Sequence, residues 1–398
     1  MGAGQRVAIL AAKRTPIGKF LGSLAKVPAV ELGRLAVTDA ILHAHLQPSD
    51  IGELLFGNCI QAGLGQNPAR QVLLGAKIPY ERGAVTINKV CGSGMESIIL
   101  GCSRIRAGDA DIVVAGGMES MSLAPYLAPR VRSGLRYGDT SLIDSINHDS
   151  LEDAYGAGLM GVTAEGTASR NAVSREEQDR FSLRSNQRAA RALESGSFRA
   201  ETVPVPPDPA HGTPGLERDE GVRGDTTLER LGKLRPVFKS DGTVTAGNSS
   251  QLSDGASALV LASEAKVATL RLEPLAWIHS FQSGGVEPVR ITESPIPTVR
   301  EHLAKTGWGI QDFDRVEVNE AFAASTVAFL KAFPVSDDRF NPTGGAIALG
   351  HPIGCSGARI VTTLAHGLRI SGGHRGLATL CMGGGNGLSI ILENPAAA

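Results

Sequence analysis

The feature that most constrains the fold of this chain is an alternation of apolar strand-like and helix-like segments that occurs twice. The first round runs from about residue 7 to 117, and the second from about 275 to 392. In both rounds a glycine-rich turn opens a helix, and the apolar strand that follows ends in glycines, at Gly116-Gly117 and at Gly383-Gly384. Near-continuous apolar strands between helices are typical of parallel or mixed sheets covered by helices. The sequence therefore predicts a duplicated α/β domain.

The predicted elements follow one another in the same order in both rounds. In the first round we expect strands at 7–10, 54–59, 85–90 and 111–115, and helices at 30–45, from 68, and at 94–106. In the second round we expect strands at 276–282, 315–318, 376–380 and 388–392, and helices at 297–306, 323–333 and 356–370.

A different kind of segment separates the two rounds. Residues 118–248 are polar and rich in loops, with one predicted helix, because Ser174 and Glu177 form a capping box ahead of it. The apolar residues 253–263 then return to a strand that completes the first sheet. We therefore predict an N-terminal domain at 1–117 and 249–270, an inserted loop domain at 118–248, and a C-terminal domain at 271–398.

Composition limits the function classes that are open to the chain. Lys+Arg 39 against Asp+Glu 40 gives a net charge of −1, so we expect neither nucleic acid nor a membrane as partner. The apolar run 7–12 is too short for a signal peptide core or for a membrane span. The five cysteines include no CxxC pair, which favours reduced thiols in a cytoplasm and argues against a metal site. No phosphate loop of the GxxxxGK[ST] type supports nucleotide hydrolysis.

Cys91 stands where a chain presents a nucleophile at the start of a helix. It lies in Val-Cys-Gly-Ser-Gly, after the strand-like residues 84–87 and before the apolar residues 95–100. The unpaired N–H groups and the macrodipole at a helix N-terminus favour a thiolate over a thiol. Taken alone, the same pattern is also typical of a small buried side chain in a tight turn.

Two further reactive residues lie in glycine-rich surroundings in the C-terminal third. His351 is flanked by Gly350 and Pro352 in a loop, where an imidazole can exchange protons near neutral pH. Cys381 ends an apolar strand and is followed by a run of glycines. Taken singly, His351 is compatible with a loop histidine held by hydrogen bonds, and Cys381 with a packed residue at a strand end.

The combination of motifs is more specific than its parts. In order and spacing, Cys91 in VCGSGM, Asn319 in NEAF, His351 in GGAIALGHPIGCSGAR and Cys381 in CMGGGNG resemble the active-site loops of the thiolase family. The resemblance begins at residues 14–18 (RTPIG), passes through 65–71 (GQNPARQ) and 245–250 (TAGNSS), and reaches the last strand. It implies duplicated domains with mixed five-stranded sheets in α-β-α-β-α layers. It also implies that the insertion covers the active site, binds coenzyme A and contributes to contacts between subunits.

The resemblance implies a role for each catalytic residue. Cys91 is expected to attack an acyl-CoA thioester while His351 takes its proton or stabilises its thiolate, and Cys381 to remove a proton from the methyl group of acetyl-CoA. His351 and a water held by Asn319 are expected to face the thioester oxygen. The backbone N–H groups of Cys91 and Gly383 are expected to face the oxygen of the acyl-cysteine.

The contacts with coenzyme A also come from the resemblance. Arg223 is expected along the adenine nucleotide, and Ser250 is expected to bond the pantetheine. Ala246, Phe238 and Met160 are expected to line that channel. A solvated surface arginine is the alternative for Arg223. Coenzyme A and acyl-CoA are expected as substrates, with no permanently bound cofactor, and the chain is expected to form a homodimer or a homotetramer.

Two departures from the family bear on the acyl group. Leu159 stands where short-chain biosynthetic thiolases commonly have His, and Ile291-Thr292 replaces Met-Gly. We therefore weigh an acetyl-CoA C-acetyltransferase against a longer-chain degradative 3-ketoacyl-CoA thiolase. A decarboxylating ketosynthase of the same superfamily would use Cys, His and His, and Cys381 argues against it. A non-catalytic CoA-binding assembly subunit is expected to have lost at least one of the three reactive residues, and this chain has all of them.

Overall fold

The computed structural model describes residues 5–210 and 212–397, so the outermost ends of the predicted domains lie outside the described residues. The strands up to the end of the insertion are β1 (Val7–Arg14), β2 (Gly18–Lys19), β3 (Glu53–Gly57), β4 (Gly83–Ile87), β5 (Ile112–Ser120), β6 (Tyr126–Leu127), β7 (Ile143–Asp144), β8 (Glu152–Asp153) and β9 (Gly158–Leu159). The later strands are β10 (Ser253–Ser263), β11 (Ala276–Gly285), β12 (Arg315–Val318), β13 (Arg375–Met382) and β14 (Asn386–Glu393).

The α-helices occur in both rounds of the sequence and in the segment between them. They are α1 (Ala29–His43), α2 (Pro68–Gly75), α3 (Ser93–Ala107), α4 (Met160–Arg170), α5 (Arg175–Ser195), α6 (Leu228–Gly232), α7 (Glu264–Leu270), α8 (Pro295–Thr306), α9 (Ala323–Ala332), α10 (Ala346–Leu349) and α11 (Ile353–Ser371). Every strand and helix predicted for the two rounds is present, with bounds shifted by a few residues. None of the described helices is both long and apolar enough to cross a membrane.

The main strands form one sheet in the order β12-β13-β14-β11-β1-β10-β5-β3-β4, and β2 pairs with β10. The two rounds repeat the same pairings: β3 with β5 and β12 with β13 are parallel, whereas β5 with β10 and β13 with β14 are antiparallel. The predicted duplication is therefore confirmed by the topology. β1 and β11 pair antiparallel and join the two halves.

The second half differs from the prediction of five strands in each sheet. The first half has five strands, β4-β3-β5-β10-β1, whereas the described part of the second half has four, β12-β13-β14-β11. The counterpart of β4 is reduced to one bridge between Val316 and Phe340. Pro342 and the glycines after it prevent a longer strand there, because Pro lacks an N–H donor and Gly weakens a strand.

Hydrophobic packing arranges these elements in the predicted layers. α3 and α11 pack against each other. α3 also packs on β3 and β5, and α11 packs on β5, β10, β12 and β13. Their apolar side chains share one core with inward-facing residues of both halves. α1 and α2 cover the outer face of the first half, and α8 and α9 that of the second. The order of layers is α-β-α-β-α.

The segment between the rounds differs from its prediction at two points. β5 continues to Ser120, beyond the predicted start of the insertion at residue 118, because its pairing with β10 extends to Ser120 and Asp254. The segment also contains α4, which its polar sequence did not indicate. The helix predicted from its capping box is α5, and Ser174 and Glu177 make both bonds of that box.

A buried ion-pair cluster attaches the insertion to the first half. The Arg14 guanidinium is fully buried and bonds Glu201 at 2.6 Å and Asp219 at 2.7 Å. Two carboxylates neutralise the charge and accept its hydrogens, which a buried guanidinium requires. The cluster thereby connects the insertion to the end of β1.

Candidate active site

The turn that carries Cys91 is held in a strained conformation. Val90 has φ 48°, a left-handed value that is costly for a β-branched residue. Its carbonyl oxygen accepts from the Ser93 N–H at 3.0 Å, the Ser93 hydroxyl at 2.6 Å and the Cys59 thiol at 3.0 Å. These bonds fix Cys91 immediately before Gly92, the N-cap residue of α3.

The sulfur of Cys91 accepts from backbone donors and is influenced by the charge of a second thiol. The N–H groups of Gly383 and of Cys91 itself bond it and lower its pKa, whereas burial, the larger effect, and the neighbouring Cys381 raise the pKa to about 12. The helix start therefore does not make Cys91 a thiolate in this state, contrary to the expectation from the sequence. The desolvation cost of a charged sulfur exceeds the stabilisation from the helix end and the two N–H groups.

Cys381 and Gly383 come from the end of β13. Cys381 pairs with Gly387 of β14, and burial raises the pKa of its thiol to about 12. The chain then turns through residues 383–385, where Gly384 has φ 79°. Only glycine adopts this conformation readily. The turn directs the Gly383 N–H towards the sulfur of Cys91.

Asn319 follows β12, the strand that runs parallel to β13. The ends of parallel strands meet at one sheet edge, so Asn319 lies beside the end of β13, where its N–H donates to the Thr379 carbonyl at 3.0 Å. Its side-chain Nδ2 lies 3.4 Å from Nε2 of His351. Its Oδ1 is buried without a partner among the described residues. This oxygen is free to accept a hydrogen bond from a water.

The hydrogen bonds of His351 indicate which of its nitrogens carries the proton. Nδ1 lies 2.5 Å from the Ser356 hydroxyl oxygen, and that hydroxyl donates to the Pro352 carbonyl at 2.8 Å. Ser356 must therefore accept from Nδ1–H, which leaves Nε2 with a lone pair. Burial, with a smaller contribution from Arg359, lowers the pKa of His351 to about 4. The imidazole is neutral at pH 7 and suited to accept a proton.

The residues expected to bind coenzyme A lie in two places. Phe238 packs edge-to-face on Phe322, with centroids 6.3 Å apart, and fills the space beside Gly161, the residue after Met160. The Ser250 N–H donates to the Ala321 carbonyl at 3.0 Å. Phe238, Met160 and Ser250 thus lie beside the loop that carries Asn319.

The other two expected residues are exposed. Ala246 lies on the surface of the segment that contains Ser250, and the exposed Arg223 is fixed through its backbone N–H to Asn186 of α5 at 3.0 Å. A cavity of about 180 Å³ has Val90, Met160 and Gly383 in its lining, so it connects the Cys91 turn with α4.

Comparison with known proteins gives the family of the chain. Residues 7–265 match the family model of the thiolase N-terminal domain, and residues 272–394 match that of the thiolase C-terminal domain. The chain belongs to the thiolase family. An acetyl-CoA acetyltransferase of Chromobacterium violaceum is 48% identical to this thiolase over 390 residues, which cover 98% of this chain and 100% of that protein. The resemblance inferred from the sequence motifs is confirmed.

Two further relatives extend the comparison. This thiolase is 44% identical to the cytosolic acetyl-CoA acetyltransferase of Rattus norvegicus, across 97% of this chain and 98% of the rat protein. It also matches the solved structure of human mitochondrial 3-ketoacyl-CoA thiolase in complex with CoA, with a TM-score of 0.94 and 40% identity over 98% of each chain. Thiolases are acyltransferases, so the predicted fold and enzyme class are both confirmed.

The thiolase site includes three supporting residues that the sequence analysis missed. Ser356 sets the tautomer of His351. Glu320 is buried and accepts from Ser185 at 2.6 Å and Asn341 at 2.9 Å, which joins α5 to the loop before His351. Glu119 accepts four hydrogen bonds at the end of β5. For Glu119, a carboxylate near the end of the largely apolar strand β5 was an available sequence signal.

Proposed function

We propose that this protein is a thiolase that transfers acyl groups between coenzyme A thioesters through an acyl-Cys91 intermediate, and that it acts as an acetyl-CoA C-acetyltransferase. The observation that carries this proposal is that the Gly383 N–H bonds the Cys91 sulfur, while Cys381 lies two residues before Gly383 at the end of β13. One sulfur can carry the acyl group while the other acts as base on carbon. A hydrolase would not need the second thiol.

In the first half-reaction, Cys91 attacks the thioester carbonyl of an acyl-CoA. Nε2 of His351 takes the thiol proton as the bond to carbon forms, which avoids a free thiolate in a buried site. The N–H groups of Cys91 and Gly383 stabilise the oxyanion. Loss of one such donor typically costs about 2.7 to 4 kcal/mol of barrier. The bond to CoA sulfur breaks, and His351 returns the proton to the leaving thiolate.

In the second half-reaction, Cys381 acts on the methyl group of acetyl-CoA. Nε2 of His351 first takes the thiol proton of Cys381, and the resulting thiolate removes the α-proton. The imidazolium Nε2–H and a water on the Asn319 oxygen then stabilise the enolate oxygen. The enolate attacks the acyl carbon, and the bond to Cys91 sulfur breaks. Cys91 leaves as a thiolate and takes up the Nε2 proton of His351, while Cys381 keeps the α-proton as a thiol. Thiolysis of a 3-ketoacyl-CoA is the reverse sequence.

Coenzyme A is proposed as a substrate held by the insertion rather than as a resident cofactor. The packing of Phe238 and Ser250 beside the Asn319 loop supports a pantetheine channel there, with Met160 and Ala246 along it. Arg223 is proposed to lie along the adenine nucleotide, which its exposure permits. The human relative solved with CoA is similar over 98% of its length.

Label trapping tests the proposal. The protein is mixed with labelled acetyl-CoA, quenched in acid and digested, and the label is expected on the Cys91 peptide. Cys91→Ala should lose the label, whereas Cys102→Ala, at a buried cysteine of α3, should keep it. An unlabelled wild type that binds CoA would instead favour a non-catalytic assembly subunit, and label on another residue would contradict the proposed nucleophile.

A longer-chain 3-ketoacyl-CoA thiolase is the second candidate. Leu159 precedes Met160, which lines the cavity beside Gly383, and Ile291 lies in a short helix that packs against the Gly383 turn. Both departures from short-chain relatives therefore lie near the Gly383 turn, which supports a role for them in the choice of acyl group. Thiolysis of 3-ketoacyl-CoAs of increasing length separates the two candidates. A maximum kcat/KM at four carbons supports the acetyltransferase, and a maximum at eight or more supports the longer-chain enzyme.

We also propose that the protein is a cytoplasmic homodimer or homotetramer. Within the described residues, the outer edge of β4 has no strand beside it and Val85 is 41% exposed, whereas Phe340 covers β12 at the opposite edge. An unpaired sheet edge favours pairing with another chain. The cysteines are unpaired, which suits a reducing compartment. Light scattering on the purified protein tests the assembly, and a single monomeric species would contradict it.

A further inference from the structure

The duplication gives the base Cys381 a counterpart in the first half. The two parallel strand pairs correspond residue by residue, because β3 pairs with β5 as β12 pairs with β13. The last pairs of each set are Gly57 with Gly117 and Val318 with Thr379. The residue two positions further along the longer strand is Glu119 in the first half and Cys381 in the second. By the same register, Asn58 corresponds to Asn319.

The counterpart of the base is a carboxylate that faces no solvent. Glu119 is fully buried, and four N–H donors converge on its two oxygens. They are Asn58 Nδ2 at 2.8 Å, Cys59 N at 3.0 Å, Ile60 N at 3.2 Å and Gly354 N at 2.9 Å. An ionised carboxylate accepts from all four, whereas a protonated one would direct its own O–H at a donor.

These bonds reach both catalytic loops of the molecule. Gly354 is three residues after His351, in the first turn of α11. On the other side, Cys59 donates its N–H to Glu119 and its thiol hydrogen to the carbonyl of Val90, the residue before Cys91. A single side chain therefore connects the turn that carries the nucleophile to the loop that carries the imidazole.

We propose that Glu119 is a positioning residue for acyl transfer, which holds the Cys91 turn and the His351 loop at the separation that the reaction needs. This inference rests on the proposed function in one respect: the reaction that Glu119 supports is the acyl transfer proposed above. The carboxylate does not touch the reacting atoms. After burial and Cys381, the negative charge of Glu119 is a smaller cause that raises the pKa of the Cys91 thiol, which gives a second readout.

Three variants test the proposal on the full-length protein. Glu119→Gln removes the charge and turns one acceptor into a donor that faces N–H groups. Glu119→Asp keeps the charge and draws the oxygens back from their donors. Glu201→Gln is the matched control, because Glu201 is an equally buried carboxylate bonded to Arg14 and Thr363. Thermal unfolding measures the stability that each variant loses.

The kinetics of acyl exchange and the pH dependence of the alkylation of Cys91 by iodoacetamide are then measured in the wild type and in each variant. We expect Glu119→Gln and Glu119→Asp to lower kcat by about tenfold or more with KM nearly unchanged, since small misplacements of reacting groups are costly. We expect the alkylation pKa of Cys91 to fall in Glu119→Gln and to stay in Glu119→Asp. Glu201→Gln should lose stability but change neither kcat nor that pKa.

Two results would overturn the proposal. One is a kcat within twofold of wild type in both Glu119 variants. The other is that Glu201→Gln and Glu119→Gln lose the same amount of stability and also show the same decrease in kcat. If Glu119→Gln does not fold, Glu119→Asp carries the test. A wild type without acyl exchange would contradict the proposed function instead, and the alkylation of Cys91 would still report on Glu119.

Discussion

His351 and Ser356 form a 2.5 Å hydrogen bond in which the imidazole Nδ1–H donates and the hydroxyl oxygen accepts. The direction is fixed because the Ser356 hydroxyl hydrogen is already donated to the Pro352 carbonyl. Both partners lie in the first turn of α11 or the loop before it, so the helix itself sets the tautomer. The lone pair of Nε2 is left facing Asn319 in the active site.

Ser356→Ala should therefore impair catalysis more than substrate binding. Without the acceptor, the imidazole can place its proton on Nε2, where it cannot act as a base. General base catalysis contributes about 10² to 10⁴ in rate, so we expect kcat for acyl exchange to fall by about tenfold to a hundredfold. Ser103→Ala, which removes a hydroxyl bonded to the Ile99 carbonyl on α3, is the control. Equal kcat in both variants would contradict the tautomer assignment.

Cys381→Ala should separate the two half-reactions. The variant keeps Cys91, His351 and the Gly383 N–H, so we expect it to take up label from acetyl-CoA at a rate within about tenfold of wild type. Condensation and thiolysis should fall by at least about a thousandfold, because the base on carbon is absent. A stopped-assay comparison of acyl uptake and acetoacetyl-CoA formation measures both. Full condensation in this variant would refute the role of Cys381.

Gly117→Ala should destabilise the fold at the point where β5 passes α11. A Cβ at Gly117 would lie 2.0 Å from the Gly354 carbonyl oxygen, and neither backbone can move without disturbing the helix start. Overpacking of this kind costs about 1–3 kcal/mol or more. Gly232→Ala, where a Cβ meets nothing within 4 Å, is the matched control. Urea denaturation should show a loss in the first variant and at most a small gain in the second.

Acidification should destabilise the protein partly through His302. Its ring is buried between Ser280 and Ser389, and burial lowers its pKa from 6.5 to about 4. Between these values the unfolded chain binds more protons than the folded one. Stability is therefore retained above pH 6.5 and lost as the pH falls towards 4, by at most about 3 kcal/mol for this group.

The variant His302→Gln isolates this contribution. Urea denaturation at pH 7 and pH 4.5 should show a smaller loss of unfolding free energy in the variant than in the wild type. Asp254 acts in the opposite direction, since burial raises its pKa to about 6, but it is common to both proteins and cancels in the comparison. Equal losses in the two proteins would mean that His302 is not protonated on unfolding in this range.

The sequence indicated most of the local structure because its signals are local. Periodic apolar runs and glycine turns located the elements of both rounds, and the bounds of β12 and β10 match the predicted ones. The capping box of Ser174 and Glu177 identified α5 for the same reason, since both partners lie within one helical turn. α4 was missed because its buried apolar side chains are small alanines, Ala164 and Ala168, which pack into the core of the second half beside α9 within a polar and glycine-containing sequence.

The pKa of Cys91 is where local reasoning failed. The position at a helix start was correct, yet the pKa of the thiol is raised rather than lowered, because the sulfur is enclosed by β13, its following turn and Cys381. Burial depends on segments that lie almost 300 residues away in the chain. No pattern around residue 91 contains that information.

By itself, the sequence determined the duplicated α/β organisation and predicted Cys91, His351 and Cys381 as the reactive residues, because periodicity and motif spacing are properties of neighbouring residues. The tertiary structure alone decided that β1 and β11 join the halves, that His351 is neutral with its lone pair on Nε2, and that Glu119 connects the two catalytic loops. These features depend on hydrogen bonds and desolvation between groups as far apart as Glu119 and Gly354. Such contacts exist only once the chain has folded.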